Sequence, residues 1–136
     1  MTKTALYLTM TAFFKDTLIM ADCRIYHNPR CSKSRATLAL LQEHGANFDV
    51  IEYLKDTPDI DTLKNILALL NISARELLRT GEQEYKALNL SDTHLTDNQL
   101  IDAMHKNPRL IERPIVVCGN KAIIGRPPEN VLDILS

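Results

Sequence analysis

Between Asp22 and Leu54 the apolar side chains recur first every second residue, then every three to four, then every second residue again. That order, strand then helix then strand within roughly thirty residues, is a βαβ unit, and it constrains the fold more than any other feature of the chain. "DCRIY", Asp22 to Tyr26, alternates polar and apolar and stops at Asn28-Pro29. The helix opens at Ser32 or a neighbour, carries Leu38 and Leu41 on its inner face, and closes on His44-Gly45, a cation followed by a C-terminal glycine. "FDVIEYL", Phe48 to Leu54, returns to period two. A right-handed crossover leaves the two strands parallel.

The rest of the chain adds a helical insertion and an antiparallel pair. Thr57-Pro58 reads as N-cap and first helical residue, ahead of apolar positions Ile60, Leu63, Ile66, Leu67 and Leu70. "SARELLR" follows as a further helix, whereas residues 81–92 are polar and too weakly patterned to predict an element. Thr96 and Gln99 form a capping box, with Leu95 and Leu100 placed as a hydrophobic staple, and that helix ends near Asn107-Pro108. "IVVCGNKAIIG" reads as two short strands turning at Gly119-Asn120. Pro127-Pro128 begins a last helix with Val131, Leu132, Ile134 and Leu135. The periodicity therefore gives an α/β or α+β fold, with α/β taken as the expected class, ordered β-α-β, helical insertion, β-β-α. At 136 residues the chain needs no second domain, so residues 22–136 are read as the domain and residues 1–21 as an N-terminal extension.

That extension is moderately apolar, but Lys15 and Asp16 interrupt it and no A-x-A-like site follows, so no secretory signal is expected. Met20 reads as a natural translation start, with residues 1–19 loose ahead of it. No apolar run is long enough to cross a bilayer, and a net charge of −1 gives no general pull toward nucleic acid or anionic membrane. Any basic site must be local. Three cysteines are an odd, sparse set, unlike a secreted disulfide framework, and point to a reducing cytoplasm.

Cys31 stands out among them. "YHNPRCSKSR" places it after a proline turn and before a polar helix start, where backbone N–H groups and the positive end of the helix dipole converge. Such surroundings lower a thiol pKa from about 8.5 into the range of roughly 3.5 to 7.5. Arg30, Lys33 and Arg35 add positive charge, and His27 can hold a proton near the sulfur or donate to it. A cysteine is more often a small core hydrophobe. Cys23 and Cys118, inside strands, are read that way, whereas the position of Cys31 favours a reactive thiol. The spacing Cys23-x3-His27-x3-Cys31 does not suit a metal, because Asn28-Pro29 breaks any common helical face. His44, His94 and His105 read as solvated or capping residues.

Three arginines sit beside predicted elements: Arg79 at the end of "RELLR", Arg113 before Pro114, and Arg126 before Pro127. Arg-Pro holds the arginine backbone extended, so its side chain is aimed by a stiffened loop. Spacing alone leaves open whether the three form an anion clamp or lie separately on the surface with their stems over apolar neighbours, the plainer choice.

Taken together, "YHNPRCSKSR", "SARELLR", "LIERPIVV" and "GRPPENVLDIL" resemble, in order and spacing, the glutaredoxin-dependent arsenate reductases, most closely their YfgD-like branch. The resemblance covers about residues 23–136. It implies a thioredoxin-like fold with a mixed four-stranded sheet and a cis Arg113-Pro114 peptide. By the same resemblance Cys31 is the nucleophile, Arg79, Arg113 and Arg126 bind the oxyanion, and His27, Asn28, Ser34 and Arg35 bind substrate or tune the thiolate. The implied reaction is attack of Cys31 on arsenate, then of glutathione on the adduct, and removal of that glutathione by glutaredoxin as As(V) becomes As(III). No bound cofactor or metal is implied, and a monomer is expected. Ser32-Lys33 replaces the Gly-Thr of well-studied arsenate reductases. Two other functions fit the same fold: a glutathione-linked thiol oxidoreductase, and an Spx-like regulatory binding module. The latter generally carries C-x-x-C, where this chain has Ser34.

Overall fold

The computed structural model describes residues 22–135, so the expected loose extension and the Met20 start lie outside the described residues. Four strands form one mixed sheet in the order β2-β1-β3-β4. They are β1 (Cys23–His27), β2 (Phe48–Glu52), β3 (Ile115–Cys118) and β4 (Lys121–Ile124). β1 runs parallel to β2 and antiparallel to β3, which is antiparallel to β4. Helix α1 (Ser32–Glu43) links β1 to β2, completing the expected βαβ unit.

The two central strands are covered on both faces, and their alternation assigns each residue a side. Ile25 and Val116 meet Leu41 of α1 and Val131 in one apolar cluster. Tyr26, Ile115 and Val117 point the other way, into a larger cluster with Leu63, Ile66, Leu100 and Met104. Those partners come from the insertion: α2 (Ile60–Leu70) and α5 (Asp97–Lys106), with the short α3 (Ala74–Leu77) and α4 (Gln83–Ala87) between them. α5 begins on the predicted capping box of Thr96 and Gln99.

Three local expectations change. α2 starts later than predicted: Asp59 is its N-cap, accepting from the Thr62 amide at 2.8 Å, while the Thr57 hydroxyl donates to the Tyr53 carbonyl. α4 lies in the segment predicted to hold no element, and none of its residues is fully buried, so it carries no apolar period to read. The last helix is a 3-10 helix (Pro128–Ile134) rather than α. At three residues per turn Pro128, Val131 and Ile134 line up on one side, and Leu132 remains exposed.

Cys23 and Cys118 also depart from their reading as unbonded core thiols. The β1–β3 register sets them directly opposite each other, with Cα atoms 4.1 Å apart and a disulfide between them. The odd cysteine count thus resolves into one bonded pair and one free thiol, Cys31.

Candidate active site

β1 ends at His27, and the next residues turn sharply into α1. The Cys31 amide donates to the Asn28 carbonyl at 3.0 Å, closing the turn over Pro29 and Arg30. Cys31 itself is the N-cap of α1, with extended backbone and no side-chain capping bond. Its sulfur therefore sits where the first helical amides lack intrahelical partners and the dipole favours negative charge. The residue is 9% exposed and belongs to neither apolar cluster, so its burial is not that of a core hydrophobe.

The predicted loop residues divide into two roles. Ser34, buried on the inner face of α1, accepts from the Asn28 amide at 3.0 Å and lies 2.6 Å from His27 Nδ1. Burial lowers the His27 pKa below 6.5, with Arg35 adding to the effect and Glu52 opposing it. A neutral ring at neutral pH shapes the loop and adds no cation beside the sulfur, contrary to the proton-holding option in the sequence. Arg35 donates from Nη1 to the Pro29 carbonyl at 3.0 Å. It braces the outer side of the turn and does not line the cavity beyond it.

That cavity, of about 400 Å³, opens between the loop and the insertion. Asn28 and Arg30 border it on the loop side, and Tyr53 and Leu54 follow β2 into it. Arg79, Glu82, Arg109 and Arg113 complete the lining. Distant parts of the chain meet here through one backbone contact. The segment leaving α3 pairs antiparallel with the segment leaving a short 3-10 helix (Pro108–Leu110), through the Leu78–Ile111 bridge. The Arg79 amide donates to the Leu110 carbonyl at 2.8 Å, and the Glu112 amide to the Leu77 carbonyl at 2.9 Å. The bridge thereby brings Arg79 and Arg113 to the lining of one cavity.

Their charges are treated differently. Arg79 Nη1 donates to Glu82 Oε2, and its Nε lies 3.6 Å from Glu112 Oε1. Arg113, by contrast, has Nε and Nη1 buried without any hydrogen-bond partner. Buried guanidinium nitrogens left bare in this way are costly unless an acceptor arrives, and an oxyanion presents several acceptor oxygens to a guanidinium group. Arg126 is joined to the group at one remove. Its Nη1 donates to the Arg113 carbonyl at 3.3 Å and its Nε stands 3.8 Å from Glu112 Oε1, but it does not line the cavity. The structure thus brings Arg79 and Arg113 together and holds Arg126 behind them.

Both Arg113-Pro114 and Arg126-Pro127 are cis, the first as the resemblance implies. The two loops and α1 pack tightly at Gly125. Its amide donates to the Pro114 carbonyl at 2.9 Å, and a methyl group there would stand 2.9 Å from Pro114 Cγ and 2.5 Å from Thr37 Oγ1.

Tyr53, Glu82, Glu112 and Arg109 were not singled out from the sequence. Burial pushes the Tyr53 phenol up to about 12; Arg79 pulls it down, the Cys31 sulfur pushes it up, the Asn28 side chain hydrogen-bonds it, and Glu112 pushes it up. The phenol therefore lies within electrostatic reach of both the thiol and Arg79, and it stays protonated through neutral pH. A signal for the acids was present: Glu82 follows Arg79 by three residues, and Glu112 directly precedes Arg113.

A mixed sheet between two helical layers, with its one free thiol at the start of the first helix, defines a thioredoxin-like thiol domain. The chain belongs to the ArsC family, whose model matches residues 26–134. It is 56% identical over 113 residues to the uncharacterized protein YfgD of Escherichia coli K12, covering 82% of this chain and 95% of that protein. It is 44% identical to the arsenate reductase of Neisseria meningitidis serogroup B, covering 85% of this chain and 100% of that one. The solved arsenate reductase from Vibrio cholerae matches with a TM-score of 0.82 at 49% identity, over 86% of this chain and 100% of that one.

Proposed function

We propose that this protein is an arsenate reductase. The observation that carries the reading is the pair of bare, buried nitrogens of Arg113, which lines one cavity with Arg79 across from the Cys31 loop. Arsenate is anionic at neutral pH, so a sulfur nucleophile reaches it only where cations offset the repulsion. Arg113 and Arg79 hold the oxygens, Arg126 steadies the Arg113 loop from behind, and Tyr53 and Asn28 present neutral polar groups at the same cavity. Asn28, Ser34 and His27 fix the turn that carries Cys31, and Arg35 braces it.

The Cys31 sulfur attacks arsenic, forming an As–S bond as one oxygen leaves as water. A second thiol then attacks the Cys31 sulfur: the As–S bond breaks, its electron pair stays on arsenic, and a disulfide forms. Arsenate and two thiols become arsenite, a disulfide and water, with the two electrons supplied by sulfur. Cys23 and Cys118 are bonded to each other, which supports an outside source for the second thiol. We assign that role to glutathione, with glutaredoxin regenerating Cys31 from the mixed disulfide, in the cytoplasm and with the protein as a monomer. None of the described helices is long and apolar enough to cross a membrane.

The test is a coupled assay of protein that carries the Cys23–Cys118 disulfide and a free Cys31 thiol, with glutathione, glutaredoxin and NADPH. Arsenate-dependent NADPH consumption, lost in Arg113→Ala, is the expected result. No arsenate-dependent turnover, with Cys31 verified as a free thiol, would overturn the proposal.

A further inference from the structure

Glu82 is the N-cap of α4, yet its side chain makes no capping bond. The carboxylate is turned instead into the cavity, only 16% exposed, with Oε2 on Arg79 and Oε1 on Arg109 Nη2 at 3.1 Å. Arg109 is further anchored by Glu84, whose Oε2 lies 3.8 Å from its Nε. An oxyanion that docks on the bare nitrogens of Arg113 thus meets, in the same cavity, an Arg79 that already has an anion on its Nη1, and it must sit near that fixed negative charge.

We propose that Glu82 is an internal counter-anion that sets which oxyanions the cavity retains. The inference rests on the arsenate reductase reading and concerns specificity at the same site. Sulfate and phosphate share the tetrahedral shape and charge of arsenate, so a pocket made only of arginines would hold all three. A carboxylate beside the pocket weakens every anion held by charge alone. Arsenate has a compensation that the other two lack, because its central atom goes on to bond Cys31. The counter-anion therefore lowers idle occupancy by bystander anions and leaves the reacting one favoured. A simple prop for Arg79 would act in the opposite direction, since its loss would disorder the guanidinium and weaken anion binding.

The sign of the change therefore decides the matter. Sulfate and phosphate are titrated separately into wild-type protein and Glu82→Gln, following the Arg113 Nε–H signal by nuclear magnetic resonance. Gln keeps the length and hydrogen-bonding capacity of the side chain and removes its charge. Removing a like charge at this range is expected to tighten both anions about tenfold, with their inhibition constants against arsenate turnover falling in step. Unchanged or weaker binding in Glu82→Gln, or no binding in either protein, overturns the inference. Should Glu82→Gln fail to fold, Glu82→Asn gives the same reading. Anion binding is measured without turnover, so the two conclusions separate. Tighter sulfate in a protein that reduces no arsenate refutes the reductase reading alone, and normal arsenate turnover with unaltered sulfate binding refutes this one alone.

Discussion

β1 has a cysteine at its start and another just beyond its end, and the two are in opposite chemical states. Cys23 faces Cys118 across the antiparallel β1–β3 pair and is bonded to it. Cys31 has left the sheet, sits at the start of α1, and is free. The difference comes from what the backbone offers each sulfur. A sheet register offers Cys23 a side chain directly opposite, whereas a helix start offers Cys31 unpaired amides, at the end of a loop whose Asn28 and Arg30 border a cavity lined by guanidinium groups. Residue type alone predicts neither outcome.

The sharpest break between the two ends is expected in activity. Cys31→Ser should lower arsenate turnover by about a thousandfold or more, since a hydroxyl at that place is a far poorer nucleophile. The Cys23→Ser/Cys118→Ser pair should leave kcat/KM unaltered and instead lose roughly 2–4 kcal/mol of stability in urea, because that disulfide closes a long loop. Activity that followed the disulfide and ignored Cys31 would reverse the assignment.

Next in size is Arg113→Lys, which keeps the charge and removes the planar fork. A fall of about a hundredfold in kcat/KM, with little change in melting temperature, is expected from steady-state kinetics. At the junction of α1 with both Arg-Pro loops, Gly125→Ala forces a methyl against Thr37 and Pro114 and should cost about 1–3 kcal/mol by urea denaturation. Smallest is the acid slope of His27. Its folded pKa lies below 6.5, so the unfolded chain binds more protons between those two values and stability declines as pH falls through that window. His27→Gln should flatten the decline, read from melting temperatures taken between pH 7 and pH 5.

The same contrast explains what the sequence could disclose. The strand, proline turn and helix that hold Cys31 lie within about a dozen residues, so their period and punctuation placed the free thiol at a helix start directly. The resemblance named Arg79, Arg113 and Arg126, but their arrangement depends on the Leu78–Ile111 bridge, a pairing without a local signature. Arg126 reaches the Arg113 carbonyl from the loop that follows β4, a contact equally without a local signature. Period two put Cys23 and Cys118 in strands and left their register unspecified across 95 residues. α4 escaped notice because a short helix with no buried residue carries no stripe. The carboxylates were overlooked for a different reason: cations beside a thiol suggest an anion site, and the acids that hold those cations apart become meaningful only once their partners are in view.

The central claim is that Arg113 and Cys31 belong to one oxyanion site. Crystals soaked in arsenate test it most directly. The account predicts arsenate density with its oxygens on the Arg113 guanidinium and its arsenic facing the Cys31 sulfur. Density that lies elsewhere on the surface while the Arg113 guanidinium stays bare would contradict it.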